Sequence, residues 1–171
     1  MYATPSVVQD IVYAGDTSGT FYALKSSGTL LWSKPGFAPI TASALVTNGP
    51  NGTDGMVIFG DQAGYIHALK RNTGDQVWAV QPNPNGSPAI FSSPILANGQ
   101  VVIGISSFET LSTFRGSVVS LNPNTGKEIW QTYLITDQEQ KSGSSGAGVW
   151  STPTYDAEND IVYVTTGNYA K

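Results

Sequence analysis

Residues 60–78 read GDQAGYIHALKRNTGDQVW: a Gly-rich turn, an apolar strand, a second turn carrying Gly74, and then a tryptophan. The same phrase stands at 15–32 as GDTSGTFYALKSSGTLLW and at 114–130 as FRGSVVSLNPNTGKEIW. Trp32, Trp78 and Trp130 are thus 46 and 52 residues apart. A repeat of that length with several strands per copy signals a propeller or a solenoid, in which each unit buries its apolar faces against its neighbours.

The segments around the phrase complete the unit. Pro5, Pro94 and Pro153 each open a copy, with Ala44 in that slot in the second. An apolar strand then runs to Gly15, Gly60, Gly104 or Gly167, and the following strand ends at Ala23-Leu24, Ala68-Leu69 or Ser120-Leu121. Asn-Thr-Gly at 72–74 and 124–126 puts glycine where a tight turn needs positive φ. The runs are β-branched or aromatic and bounded by Gly, Asn, Asp and Pro, and no window of a dozen residues keeps a helical apolar face. About four short strands per unit make a propeller blade. The expectation is an all-β chain forming a single partial β-propeller of about three and a half four-stranded blades. The blades fall at about 1–40, 41–88 and 89–149, with the first half of a fourth at 150–171. The longest insertions, 106–116 and 136–148, belong to the third unit, and insertions of this kind gather on the binding face of a repeat protein.

Composition narrows the partners. Only 12% of the residues are charged, the net charge is −4, and no Lys/Arg stripe is present, which argues against nucleic acid. No apolar run is long enough for a transmembrane helix, and MYATPSVVQD lacks the basic and apolar regions of a signal peptide. With no cysteine there are no disulfides or thiolate metal sites.

Trp32, Trp78 and Trp130 are expected to bury their rings against the neighbouring blade, each N–H finding a carbonyl. His67, the single histidine, is expected at a buried or half-buried strand position. Trp150 stands apart. It lies in GAGVWSTPTYD before the opener Pro153, in a place the preceding units fill with Phe91 and Ile40. A flat ring among Gly146, Ala147, Gly148 and Ser151 leaves room for a planar ligand to stack on it, or plugs the central channel of the propeller. Asp156-x-Glu158-x-Asp160 begins like a calcium loop, but Ile161 replaces the required glycine, so these carboxylates read as hairpin residues.

The segment GAGVWSTPTYDAENDIVYVTTGN, 146–168, resembles the cofactor segment of the pyrroloquinoline-quinone (PQQ)-dependent alcohol dehydrogenases, and NTGKEIW resembles that family's Trp-docking repeat. ITASALV and VVIGISSFE resemble the polyvinyl-alcohol-dehydrogenase-like branch. The resemblance implies that Trp150 lies under the quinone and that Ser106 approaches its carboxylates. It implies further that Glu109 and Asn168 give oxygens to a Ca²⁺ ion, a metal that takes six to eight such ligands. Arg115 matches a family arginine and reads as structural. The implied partner of a complete enzyme is a small or polymeric alcohol, and the implied location is periplasmic or extracellular.

The family's general-base aspartate belongs to a later blade, so no catalytic residue is assigned in this chain. The cysteine-free chain also lacks the vicinal disulfide that many members stack on the quinone. The chain is therefore expected to resemble an N-terminal fragment of the family, to be inactive alone or nearly so, and to expose an unfinished blade open to self-association. The alternative is a non-enzymatic propeller scaffold for protein–protein interaction, built on the same repeat.

Overall fold

The computed structural model describes residues 3–49, 55–83, 86–108 and 114–170. Three four-stranded antiparallel sheets follow one another along the chain. The first comprises β1 (Ser6–Val8), β2 (Ile11–Gly15), β3 (Thr20–Lys25) and β4 (Leu30–Pro35). The second comprises β5 (Leu45–Val46), β6 (Met56–Gly60), β7 (Ile66–Lys70) and β8 (Gln76–Val80). The third comprises β9 (Ile95–Ala97), β10 (Gln100–Ile105), β11 (Ser117–Leu121) and β12 (Glu128–Tyr133). Each sheet is a simple meander, as short strands joined by tight turns require. After them come α1 (Asp137–Lys141), β13 (Ser145–Gly146), β14 (Thr154–Asp156), β15 (Ile161–Tyr163) and β16 (Tyr169–Ala170). The β14–β15 hairpin lies against β9, as β5 lies against β1. The architecture is a β-propeller arc of three blades followed by this hairpin.

The repeat extends to hydrogen-bond register. Each sheet has a bulge between its third and fourth strands, at Ala23/Leu24, Ala68/Leu69 and Ser120/Leu121. Ala23, Ala68 and Ser120 stand directly opposite Trp32, Trp78 and Trp130. A small residue across the ladder leaves each indole free to lean toward the next blade. The Trp32 N–H donates to the Arg71 carbonyl at 3.0 Å, and the Trp78 N–H donates to the Pro123 carbonyl at 2.8 Å. Each docking turn carries a glycine in the left-handed region, Gly74 at φ 71° and Gly126 at φ 69°. A Cβ on either would sit 2.7 Å from the incoming indole.

That contact gives a prediction. Gly28, the equivalent turn of the first blade, has φ 90° but open space around it. Gly28→Ala should therefore cost only backbone strain, about 1 kcal/mol, whereas Gly126→Ala adds a ring collision and should cost about 2–4 kcal/mol. Urea unfolding of the two variants followed by circular dichroism measures the difference.

The core lies between the blades. Tyr13, Phe21, Trp32 and Ile40 meet Val57, Phe59 and Leu69 across the first interface. Phe21 and Phe59 stack there at 4.3 Å. The alternate residues Ile58, Ile66, Ala68 and Trp78 face the third blade, against Val101, Ile103, Ile105, Phe114 and Val119. The second and third blades are covered on both faces, so β7 and β11 are buried at consecutive rather than alternate residues, His67, Ser117 and Ser120 included. On the third blade's other face, Ala97, Val102, Val118 and Val149 pack with Ile95, Tyr155 and Val162.

Two expectations need correction. Trp130 is not buried like its counterparts: it is 37% exposed, against 9% and 8% for Trp32 and Trp78. Ile40 is also not the counterpart of Trp150. The amides of Ile40, Ile90 and Val149 donate to the carbonyls of Asp16, Asp61 and Ile105. Their side chains fill the space left by Gly15, Gly60 and Gly104. Those three residues share one slot, so Trp150 aligns with Phe91 and Thr41, the next position in each blade. An element that sequence reasoning missed is α1. Its N-cap Thr136 and Glu139 form a reciprocal capping box, and T-x-x-E was the local signal for it.

Candidate functional site

The segment that carries Trp150, from β13 onward, is pinned on both sides. The Gly146 amide donates to the Phe114 carbonyl and the Gly116 amide donates to the Gly146 carbonyl, each at 2.8 Å. On the opposite side Ala147 N–H donates to the Asn168 carbonyl and Gly167 N–H to the Gly148 carbonyl, each at 2.7 Å. Val149 N–H closes the set on Ile105, at 3.3 Å. Gly146 and Ala147 take positive φ, 93° and 53°, which turns the chain sharply between these partners. A Cβ at Gly116 would overlap the Ala147 carbonyl, so only glycine lets the two backbones approach this closely.

Around this segment the structure gathers three of the four site residues expected from the sequence. Ser106, at the end of β10, is buried, and its hydroxyl reaches the space where a Gly148 side chain would be. Trp150 is half-buried, with its indole nitrogen against Gly148 and Gly167. A Cβ at either glycine would come within 3.0 Å of that nitrogen. Asn168 is exposed, and its backbone anchors Ala147. Glu109 lies outside the described residues.

Two aromatics join the site that sequence reasoning did not assign to it. Phe91 stacks on Trp150 with centroids 5.9 Å apart, and Phe108 meets Phe91 edge-on at 5.6 Å. Phe91 and Trp150 occupy equivalent positions in successive units, as the sequence register indicated; the meeting of their rings is what the structure adds. Phe108 is 50% exposed, so the aromatic group continues to the surface beside Ser106 and Ser107.

Arg115 holds the frame. Its guanidinium donates to Asp137 at 2.7 Å and to Gln140 at 2.9 Å, and it lies 4.1 Å over the Tyr133 ring. It thereby ties α1 to the segment that pins Gly146, a structural part. Asp156 and Asp160 sit in the β14–β15 turn, where Asp156 accepts the Glu158 and Asn159 amides and Asp160 accepts the Tyr155 hydroxyl. They hold the turn. Among the described residues no three His, Cys, Asp or Glu side chains cluster as a metal site. Beside Trp150 the Ser106 hydroxyl is the side-chain oxygen the structure locates, at the edge of Gly148, while Asn168 enters through its backbone carbonyl.

A family model described as outer membrane protein assembly factor BamB, with the short name PQQ_2, matches residues 2–170. The chain belongs to this PQQ-repeat family. Its curated relatives include a polyvinylalcohol dehydrogenase from Pseudomonas sp., 29% identical over 95% of this chain and 29% of the relative. Another is quinohemoprotein alcohol dehydrogenase ADH IIB from Pseudomonas putida, 28% identical over 97% of the chain and 28% of the relative. The fold matches the quinohemoprotein alcohol dehydrogenase structure from Comamonas testosteroni with a TM-score of 0.82 at 23% identity, covering 98% of this chain and 29% of that one. The chain thus spans under a third of the length of these dehydrogenases. No helix among the described residues is long and apolar enough to cross a membrane.

Proposed function

We propose that this chain forms part of the cofactor site of a PQQ-dependent alcohol dehydrogenase of the polyvinyl-alcohol type. The observation that carries the reading is the placement of Trp150. Its ring is only half-buried, yet its position is fixed by backbone bonds on both sides and by two glycines at its edge. Such a rigid apolar plane suits a flat conjugated ligand.

The residues named for the site suit the group in chemical type. Trp150 would carry one face of PQQ, and Ser106 would donate a hydrogen bond to one of its carboxylates. Asn168 and Glu109 would offer oxygens to a Ca²⁺ ion, a hard cation that prefers such donors. PQQ, when bound, supplies the two-electron acceptor for hydride leaving an alcohol carbon, and the metal polarises its carbonyl. The chain's own contribution is to hold the ring plane, exclude water from one face and place the oxygens. The general base is assigned to no residue of 1–171, so the chain alone is expected to show no alcohol turnover. The substrate would be a small or polymeric alcohol and the location periplasmic. The scaffold alternative receives less support, because protein–protein docking makes no use of Trp150, Ser106 and Asn168 gathered at one place.

The test is titration of the chain with PQQ and Ca²⁺, read as quenching of tryptophan fluorescence and as heat. Saturable binding that needs the metal is expected. Trp150→Ala should weaken it at least about tenfold, the loss of one aromatic stacking face and its buried area. Asn168→Ala should raise the Ca²⁺ requirement without removing PQQ quenching at high metal. Binding undiminished by Trp150→Ala would overturn the reading, and Mg²⁺ replacing Ca²⁺ equally well would overturn the metal part of it.

A further inference from the structure

The Trp150 ring meets two kinds of neighbour: glycines at its nitrogen edge and a second aromatic ring along its plane. Gly148 and Gly167 have no side chain to grip the indole, and a Cβ on either would come within 3.0 Å of its nitrogen. Phe91 is the partner that does touch it, with centroids 5.9 Å apart and planes 28° from parallel. That is an offset stack, a geometry aromatic pairs favour. Phe108 stands edge-on to Phe91, at 5.6 Å and 90°. Phe91 is therefore held between two rings, the half-buried Trp150 and the surface-exposed Phe108.

The two rings are tied together through their neighbours. Ser92 follows Phe91, Ser151 follows Trp150, and the Ser92 hydroxyl donates to the Ser151 carbonyl at 2.9 Å. The same hydroxyl accepts the Gly104 amide at 3.2 Å, which fixes it on β10. Ser92 is fully buried, where a hydroxyl satisfied as both donor and acceptor is costly to move. On the other side of Phe91, the Ile90 amide donates to the Asp61 carbonyl at 3.0 Å. Phe91 thus stands on a backbone anchored before and after it. The repeat itself does not ask for this. One blade earlier the equivalent residues are Thr41 and Ala42, which supply no aromatic ring and, at 42, no hydroxyl. Ala42 is nonetheless buried, so blade packing there is met without either group. The ring and the tie belong to the junction that carries Trp150.

We propose that Phe91 is a positioning residue for Trp150: it sets the plane of the indole and covers part of one of its faces, while the Ser92–Ser151 bond fixes the spacing of the two segments. The inference rests on the reading of Trp150 as the plane that carries PQQ. A stacking ligand binds more tightly to a ring whose orientation is set beforehand, because no side chain has to be ordered at the moment of binding. With Phe91 against one face, the ligand takes the opposite one. Phe108 backs Phe91 and keeps it from turning away.

The test uses the whole 171-residue chain labelled with 5-fluorotryptophan, whose 4 indoles each give a fluorine resonance. The Trp150 resonance is assigned by its loss in Trp150→Phe. Without ligand, Phe91→Leu should shift and broaden that resonance, because a neighbouring ring current is removed and the indole gains a second orientation. The Trp32 and Trp78 resonances should stay in place, which also shows the variant to be folded. Ser92→Ala should move the Trp150 resonance as well. In titration with PQQ and Ca²⁺, Phe91→Leu should weaken binding at least fivefold, about 1 kcal/mol, whereas Phe91→Tyr, which keeps the stacking ring, should bind within about twofold of the native chain. A Trp150 resonance unmoved by both Phe91→Leu and Ser92→Ala would overturn the proposal. So would an unchanged PQQ affinity in Phe91→Leu, or equal weakening by Phe91→Tyr and Phe91→Leu. A native chain that binds no PQQ, with the Trp150 resonance still moved by Phe91→Leu, would remove the quinone reading and leave the positioning of the ring standing.

Discussion

Replacing Trp78 with alanine should destabilise this chain by about 3–5 kcal/mol, and Trp32→Ala should do the same, while Trp130→Ala should cost about 1 kcal/mol. The three residues are equivalent in sequence and in register, each opposite a small residue at a bulge. They differ in what covers them. Trp32 and Trp78 lie over the glycine turns of the next blade, and each N–H is satisfied there by a carbonyl. Removing either leaves a cavity at a blade interface and an unpaired carbonyl, and the transfer and cavity contributions add. Trp130 is 37% exposed, so its truncation removes less buried surface and opens no closed void. Urea unfolding of the three variants by circular dichroism measures the ranking. Equal losses in all three would show that the ring matters to the sheet that carries it rather than to the neighbouring blade.

The second large effect is expected at Asp61. Its carboxylate is buried, and Oδ1 accepts the amides of Ala63 and Tyr65, both at 3.0 Å. Oδ2 accepts the Ala38 amide at 3.3 Å and faces His67 Nε2 at 2.9 Å, the imidazole nitrogen that must carry the hydrogen against a carboxylate. Phe37, Phe59 and Tyr65 pack around the imidazole. Asp61→Ala leaves several buried donors unsatisfied at once and should cost about 3–5 kcal/mol. Burial pushes the carboxyl pKa up, but the hydrogen bonds from His67, Tyr65 and Ala38, with the His67 charge, outweigh it and hold it below the usual 3.8.

The sign of the pH dependence follows. A depressed carboxyl stabilises the fold fully above its unfolded pKa and loses that stability as pH falls through its folded value. The gap in unfolding free energy between the native chain and Asp61→Asn should therefore shrink as pH falls below about 4. Denaturant titrations at each pH measure it. A gap that widens in acid would show that the carboxylate is not held ionised by these bonds.

Asp16 makes the same turn in the first blade, accepting the Thr20 and Ser18 amides and the Tyr22 hydroxyl, and these bonds bring its pKa to about 2. The sequence shows the two aspartates plainly, each after its glycine. What it does not show is that the imidazole at 67 meets the Asp61 carboxylate as the Tyr22 hydroxyl meets Asp16, or that Phe37 of the neighbouring blade closes over it. Those contacts join residues from two blades. In the third blade the matching residue is Ile105, whose carbonyl takes the Val149 amide as Asp16 and Asp61 take those of Ile40 and Ile90. The polar turn is lost there, and the long segment from Ser106 begins in its place.

The candidate site was legible in part for the same reason. Trp150 and Asn168 lie on a short stretch with a strong local pattern, and Ser106 closes a recognisable strand. Phe91 belongs to another blade, and its ring meets Trp150 only after the blades pack. The Gly116 and Gly146 contacts likewise join strands about thirty residues apart, where no periodicity links them.

By itself the sequence determined the blade: strand length, turn glycines, the tryptophan and the order of units. These are local matters of backbone preference and alternating burial, repeated often enough to be read. Only the tertiary structure decided which tryptophans are covered, which ring lies on Trp150, and that Ser92 bonds to Ser151 across a blade boundary. Each of these depends on a face supplied by a different blade, and the distance between two faces is set by packing, which no single repeat encodes.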